Sequence, residues 1–341
     1  MTIAPPIFAV DSASEGSAPA STPRSLTPSI SAVVPAYNEG NNLARLLPVL
    51  CEVLRSLTDQ WEVIIVNDGS RDHTIEAVAP WLVQPGVRLL CLSRNFGKEA
   101  ALSAGLDRAQ GQLVVLLDAD LQHSPSLIPA MLALWKEGAD TVCAVRQHRK
   151  DESRLKRWGA RCFYGLVNAG TQVPIPAGAG DFRLMDRRVV NALLALPERN
   201  RFLKGMYAWV GFKTVELPYL PDPRAEGEST FSLRSLKRLA LTGITSFSTL
   251  PLRLWSGIGV LIATFALAYG LWIVIEHLIW GIPVQGWATL AAGMMFFSGV
   301  QLLSIGILGE YVGRIFDEVK QRPIYLIDRE WGQTLIHPAS P

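Results

Sequence analysis

The chain has 341 residues, 49% of them hydrophobic and 18% charged, with a formal net charge of +2. That length holds one large domain and an appendage, and the near-neutral balance excludes the global basic field of a nucleic-acid-binding protein. The four cysteines (Cys51, Cys91, Cys143 and Cys162) form no C-x-x-C pair and no zinc spacing with histidine, which excludes a disulfide scaffold and leaves buried or free thiols in a reducing compartment.

Residues 1–29 are rich in Ser, Pro and Ala, with no apolar period and no basic start before an apolar run, so a disordered tail is expected rather than a secretory signal. From Ile30 onward short apolar runs alternate with helical stretches. Strands are expected at Ile30–Ala36, Glu62–Asn67, Val87–Leu92, Gln112–Asp118 and Thr141–Val145, with helices at Asn41–Leu57, Thr74–Leu82, Lys98–Ala109 and Pro125–Glu137. Such alternation predicts an α/β fold with a mostly parallel sheet covered on both faces, binding ligands at the carboxyl ends of its strands. Helices are further expected at Ser153–Asn168, Arg187–Ala195 and Arg199–Val210, then a strand near Lys213–Leu217 and a Pro/Gly-rich loop, closing a catalytic-sized domain over 30–231.

Over 232–252, Leu233, Leu236, Ala240, Ile244 and Phe247 share one helical face flanked by Arg234 and Arg238, the pattern of a helix lying in a membrane surface. Two uncharged stretches follow within 253–310, Gly257–Ile275 and Trp287–Gly309, each near the ~20 residues a membrane-spanning helix needs. The connector has no Lys or Arg, whereas Arg253 precedes the pair and Arg314, Lys320 and Arg322 follow it. The positive-inside rule then predicts a two-helix transmembrane hairpin with both flanks cytoplasmic, including a C-terminal helix and tail over 311–341.

Three polar segments fall at expected strand ends. Asp118-Ala119-Asp120, with Gln122 and His123 after it, presents paired carboxylates suited to one hard divalent cation such as Mg²⁺ or Mn²⁺. In Asn67-Asp68-Gly69-Ser70-Arg71-Asp72, turn and cap chemistry accounts for Gly69, Ser70 and Asp72 but leaves Asp68 at the strand end, where a base or ribose could be held. Pro35-Ala36-Tyr37-Asn38-Glu39, alone, reads as a strand exit and helix cap. His73, His123 and His148 form no metal triad by spacing.

In order, these segments resemble the signatures of the inverting nucleotide-sugar glycosyltransferases of GT-A fold, the large family that contains the dolichol-phosphate mannose synthases. Arg94-Asn95-Phe96-Gly97-Lys98-Glu99-Ala100-Ala101-Leu102, Gly180-Asp181-Phe182-Arg183-Leu184-Met185-Asp186, Arg199-Asn200-Arg201-Phe202 and the hairpin narrow the resemblance to the bacterial polyprenyl-phosphate (bactoprenol) glycosyltransferases. One segment departs from that branch: Gly227-Glu228-Ser229-Thr230-Phe231 lacks the Lys and Tyr of its usual Gly-x-Ser-Lys-Tyr.

The resemblance implies transfer of a sugar, with inversion, from a nucleotide-sugar to polyprenyl (undecaprenyl) phosphate. It implies a multi-pass protein of the bacterial inner membrane with catalytic domain and termini cytoplasmic, and a homotetramer whose tails, over Asp317–Glu330, pack on neighbours. UDP-glucose is the first donor candidate, with a UDP-aminoarabinose derivative, GDP-mannose and UDP-N-acetylglucosamine as alternatives; a non-catalytic membrane scaffold is the rival from another class. By position in the motifs, Asp118, Asp120 and Gln122 would hold the metal, and Pro35, Tyr37, Glu39, Asp68, Lys98, Asp118 and Asp120 would contact the donor. Asp120, Asp181 and Arg183 would be catalytic, with Asp181 as base or, preferably, sugar anchor, since a phosphate acceptor (second pKa ~6) needs little deprotonation. Arg146, Arg183 and Arg201 would bind the acceptor phosphate, while most of the basic run from Arg149 to Arg161 reads as a solvated face attracted to anionic lipid.

Overall fold

A computed structural model describes residues 24–146 except 26, residues 179–219 except 200, most of 258–279, and 286–336. Residues 1–23, the expected helix Ser153–Asn168, the basic run 147–161 and the membrane-surface helix over 232–252 lie outside the described residues. The expected disordered tail is shorter than residues 1–29, since Arg24 donates to the Ala139 carbonyl at 2.7 Å and pairs with Asp140 at 3.2 Å.

Eight strands form one sheet: β1 (Ile30–Ala36), β2 (Trp61–Asn67), β3 (Val87–Leu92), β4 (Leu113–Leu116), β5 (Thr141–Arg146), β6 (Ala179–Asp186), β7 (Thr214–Tyr219) and β8 (Ile327–Gly332), in the order β7-β5-β6-β4-β1-β2-β3-β8. The central strands β4, β1, β2 and β3 are mutually parallel, while β6 runs antiparallel to β4 and β5, and β8 antiparallel to β3. Every residue of the four central strands is buried, as expected for strands covered on both faces.

The period of two divides the core. Ile30, Ala32 and Val34 of β1 face helices α1 (Gly40–Leu57) and α4 (Ile128–Lys136), meeting Leu43, Leu46, Leu50 and Trp135. Val33, Ile64, Val66 and Leu116 face the other side, against α3 (Lys98–Arg108), α5 (Arg187–Ala195) and α6 (Leu203–Trp209). The expected helix Thr74–Leu82 is shorter, α2 (Thr74–Val78) followed by a 3-10 turn that begins next to Pro80, and Pro125–Leu127 is likewise a 3-10 turn leading into α4.

Two strands were not expected. β6 lies within the Gly180–Asp186 motif, and its neighbours split between the two cores: Phe182 and Leu184 on one face, Met185 on the other. β8 is half charged and mostly exposed, as suits a sheet edge, and adds the chain's own residues 327–332 to β3.

Helix α7 (Trp287–Lys320) runs 34 residues, well past the expected Gly309, and contains a 25-residue apolar span, Phe296–Lys320, with mean hydropathy 1.3 and none of its apolar window buried within the chain. Each described residue between 258 and 279 is also helical.

Candidate active site

The carboxyl ends of β1, β2 and β4 converge because these strands are parallel, and β6 joins them by register. Leu113 pairs with Asp186 and Leu116 with Arg183, so continuing the register by two residues sets Asp118 opposite Asp181. Lys98, the first residue of α3, closes the gap: its Nζ lies 2.7 Å from an Asp118 oxygen and 2.6 Å from Asp181 Oδ2. Two motifs separated by 63 residues of sequence, 118 to 181, are thus bridged by a third.

Charge fixes the protonation of this bridge. Burial works against the Lys98 ammonium, but Asp118 and Asp181 outweigh it and hold its pKa above the usual lysine range. Burial likewise opposes ionisation of Asp181, and Lys98, Lys204 and Arg183 overcome it, so its carboxyl titrates below the ordinary range. Glu99, next along α3, goes the other way: burial and then the Asp181 charge push it up to about 7.

Asp120 accepts the Gln122 backbone N–H at 3.2 Å, and among the described residues no cation is paired with it. Glu39 is nearby electrostatically: burial raises its pKa, Asn42 counters that through a 2.6 Å hydrogen bond, and the Asp120, Asp118 and Asp72 charges raise it further. Between Asp120 and Gln122 the backbone turns through Leu121 at φ 59°, a left-handed conformation that is costly for leucine and typical of constrained functional turns. No group of three or more His, Cys, Asp or Glu side chains is arranged to hold a metal among the described residues.

His123 packs between Phe182 and Tyr219, with ring centroids 5.2 and 5.5 Å away, and its Nδ1 is buried without a hydrogen bond among the described residues. Burial lowers its pKa, against the pull of Asp118 and Asp120.

Asp68 takes a different place from the one its motif suggested. It is 3% exposed, and its two oxygens accept the N–H groups of Phe96 at 2.7 Å and Gly97 at 2.9 Å. The carboxylate therefore shapes the turn that launches Lys98. Gly97 adopts φ +98°, and Gly69, at φ +68°, packs so closely on the Arg94–Asn95 backbone that a Cβ would come within 2.6 Å. The first motif is likewise stitched to the second: Asn38 N–H donates to Ser70 Oγ at 2.9 Å, Arg71 N–H to Asn38 Oδ1 at 2.8 Å, and Gly40 N–H to Asp72 Oδ2 at 3.2 Å. Pro35 is buried inside β1, whereas Tyr37, just beyond it, is 44% exposed at the rim.

Two expected phosphate ligands are placed otherwise. Arg201 donates from Nη1 to the Leu193 carbonyl and from Nη2 to the Leu196 carbonyl, both at 3.1 Å, so it caps the end of α5. Arg183 is 3% exposed, lies 3.5 Å from the centroid of the Tyr207 ring, and donates to the Gly180 carbonyl at 2.8 Å. It braces the start of β6, the strand that carries Asp181. Arg146 ends β5, opposite Tyr219; its side chain lies outside the described residues. Lys98, Asp118 and Asp181 are the set the fold joins directly; Glu99 lies inside the Arg94–Leu102 motif without a signal of its own, and Lys204, which adds charge around Asp181, carried no sequence signal beyond proximity to the Arg199–Phe202 motif.

Residues 31–194 match the model of glycosyl transferase family 2, and residues 250–315 match the GtrB C-terminal hairpin. The chain is 44% identical over 308 residues to an uncharacterized glycosyltransferase of Synechocystis sp., covering 90% of this chain and 97% of that protein. It is 44% identical over 305 residues to a prophage-derived bactoprenol glucosyl transferase of Shigella flexneri, covering 88% and 97%. Among solved structures it is similar to mannosyl-3-phosphoglycerate synthase from Rubrobacter xylanophilus, with 20% identity, a TM-score of 0.44 and coverage of 63% of this chain and 71% of that one. The chain belongs to glycosyl transferase family 2, in the group that joins this catalytic fold to a C-terminal hairpin and includes bactoprenol glucosyl transferases.

Proposed function

We propose that the protein transfers a sugar, with inversion, from a nucleotide-sugar to polyprenyl (undecaprenyl) phosphate at the cytoplasmic face of the bacterial inner membrane. UDP-glucose is the favoured donor, and the product is a lipid-linked monosaccharide. The observation that carries this reading is the extent of the similarity to bactoprenol glucosyl transferases, which spans 88% of the chain and so takes in both the catalytic domain and the hairpin segment.

The site's chemistry fits. Asp118 and Asp120, with Gln122, are the residues that would hold Mg²⁺ or Mn²⁺. Their hard oxygen donors suit such an ion, and the Asp120 and Asp118 charges add to the larger effect of burial in raising the Glu39 pKa. Two protein carboxylates are enough where waters and substrate phosphates complete the shell, as is usual for Mg²⁺. When bound, the ion supplies charge neutralisation for the departing nucleotide diphosphate. The acceptor phosphate is already largely dianionic near neutral pH, so the protein's own tasks are alignment and exclusion of water. Asp181, kept ionised by Lys98, Lys204 and Arg183, is poised to hold a sugar hydroxyl rather than to take a proton. Tyr37 and Glu39 form the donor-side rim.

In this reading α7 and the helical residues 258–279 form the transmembrane hairpin, with the catalytic domain and both termini cytoplasmic. Val312, Ile315, Phe316 and Val319 are exposed at helical spacing on α7, a stripe that a homotetramer would cover.

The test is transfer of radiolabelled sugar to undecaprenyl phosphate in detergent, across UDP- and GDP-sugars, with and without Mn²⁺ or Mg²⁺. Metal-dependent labelling from UDP-glucose is expected. Labelling from another donor would keep the class and replace the sugar, and no labelling by a folded, lipid-supplied sample would favour the scaffold.

A further inference from the structure

We propose that the Lys98 ammonium is the resident counter-cation of the donor-free enzyme, bridging Asp118 and Asp181, and that it must release Asp118 before a divalent cation can be held there. The inference rests on the reading above that Asp118 and Asp120 form the metal site.

The geometry supplies the competition. Lys98 Nζ is 2.7 Å from Asp118 and 2.6 Å from Asp181, both within direct ion-pair contact. A carboxylate so occupied presents less charge to a second cation, and two cations on one carboxylate repel each other. Asp120, whose hydrogen-bond partner among the described residues is only the Gln122 N–H, is left as the open half of the pair. Lys98 therefore offsets part of the charge of Asp118, whereas Asp120 has no paired cation among the described residues.

Lys98 is also built to move. Its side chain is 44% exposed, its stem has four carbons, and an ammonium has no fixed donor direction. The backbone beneath it is, by contrast, fixed: Phe96 and Gly97 N–H groups are held by Asp68, and a Cβ on Gly97 would meet nothing within 4 Å, so open space adjoins the start of α3. A rigid base with a free head suits a residue that exchanges partners. Its retained partner is Asp181, and its new one is the diphosphate of the nucleotide-sugar, which brings the negative charge that Asp118 gives up. Metal and nucleotide would then bind with positive coupling, each relieving the cost of the other, and metal alone would bind weakly.

The test is Mn²⁺ binding to the full chain in detergent, followed by electron paramagnetic resonance, without nucleotide and with UDP. In Lys98→Met the competitor is gone, so Mn²⁺ without nucleotide should bind about fivefold tighter, the order of one partly exposed ion pair. UDP should then improve Mn²⁺ affinity less than it does in wild type. Lys98→Arg keeps the charge and should behave as wild type, which separates charge from packing. If wild type binds Mn²⁺ with UDP but Lys98→Met binds Mn²⁺ alone no tighter, the counter-cation role is wrong and the metal site stands. If neither protein binds Mn²⁺ under either condition, or Asp120→Ala binds it equally well, the metal site itself is wrong and the proposal falls with it.

Discussion

Glu62 sits fully buried on β2, and its neutralisation should destabilise the catalytic domain strongly without touching the active site. Its Oε2 accepts from Arg88 Nη1 at 2.7 Å, and its Oε1 accepts from Ser31 Oγ at 2.7 Å and the Gln110 N–H at 2.8 Å. Arg88 reaches across to Glu330 on β8 at 2.7 Å and donates to the Arg108 carbonyl at 3.1 Å. In Glu62→Gln the amide retains the shape but turns a donor toward the guanidinium, leaving a buried cation short of one anion. Removing one partner of a buried pair costs about 3–5 kcal/mol, and the lower end applies because Glu330 and Arg108 remain. For a domain of this size ~3 kcal/mol lowers the melting temperature by roughly 6–12 °C, read by tryptophan fluorescence in detergent. The double variant Glu62→Leu with Arg88→Leu removes both charges and should recover much of the loss. A shift under about 2 °C in Glu62→Gln, or no recovery in the double variant, would refute the argument that unpaired charge is the cause.

Asp120→Ala should lower sugar transfer by about 10²- to 10³-fold while circular dichroism stays unchanged. Asp181→Asn separates anchor from base: an anchor gives a lower kcat with an unaltered pH profile, whereas a base gives loss of the acidic limb. Arg201→Ala should cost about 1–3 kcal/mol of stability, from two lost charge-assisted hydrogen bonds, with the lipid KM unchanged; a tenfold rise in that KM would restore a phosphate role. Glu99 has a folded pKa of about 7, raised from 4.5 by burial and by Asp181. Its stabilising contribution is complete below the unfolded pKa and lost as pH rises through 7, so Glu99→Gln should gain on wild type between pH 5 and 8, by up to about 3 kcal/mol in thermal melts.

The parallel half of the sheet was legible because each strand there is short, apolar and followed by turn chemistry. Ile30–Ala36, Val87–Leu92 and the helix Arg187–Ala195 fall at the expected residues. β6 was not legible as a strand, since Asp181 and Arg183 break an apolar run whose burial comes from neighbours far away in sequence. β8 has only Ile327 and Trp331 as apolar side chains around three charged residues; its pairing depends on β3 and on the Arg88–Glu330 contact, neither of which local pattern reveals. Residue type alone also says little about where an arginine is spent. Arg201 belongs to a motif, yet its guanidinium serves the carbonyls beyond α5, a need fixed only once that helix ends. Asp68 shows the same limit: its position at a strand end was correct, but the groups it meets are backbone N–H donors of the β3–α3 turn.

The length of α7 bears on how a soluble donor and a lipid acceptor meet. Thirty-four residues span about 50 Å, whereas the hydrocarbon layer needs ~30 Å, so on the membrane reading some 20 Å of helix stands clear of it. At that far end Glu318 accepts the Arg199 N–H at 2.9 and 3.0 Å, and Arg199 Nη1 donates to the Arg322 carbonyl at 2.8 Å. Tyr325 then donates to Asp107 at 3.1 Å on α3, and β8 completes the sheet. The chain from the membrane helix is thus tied successively to the segment before α6, to α3 and to β3. Helix α3 is also the element that begins with Lys98, so the membrane stalk and the charged bridge of the active site share one rigid support. On the membrane reading, such a support would fix the height of the site above the lipid, and the acceptor phosphate, rather than the domain, would make the remaining approach.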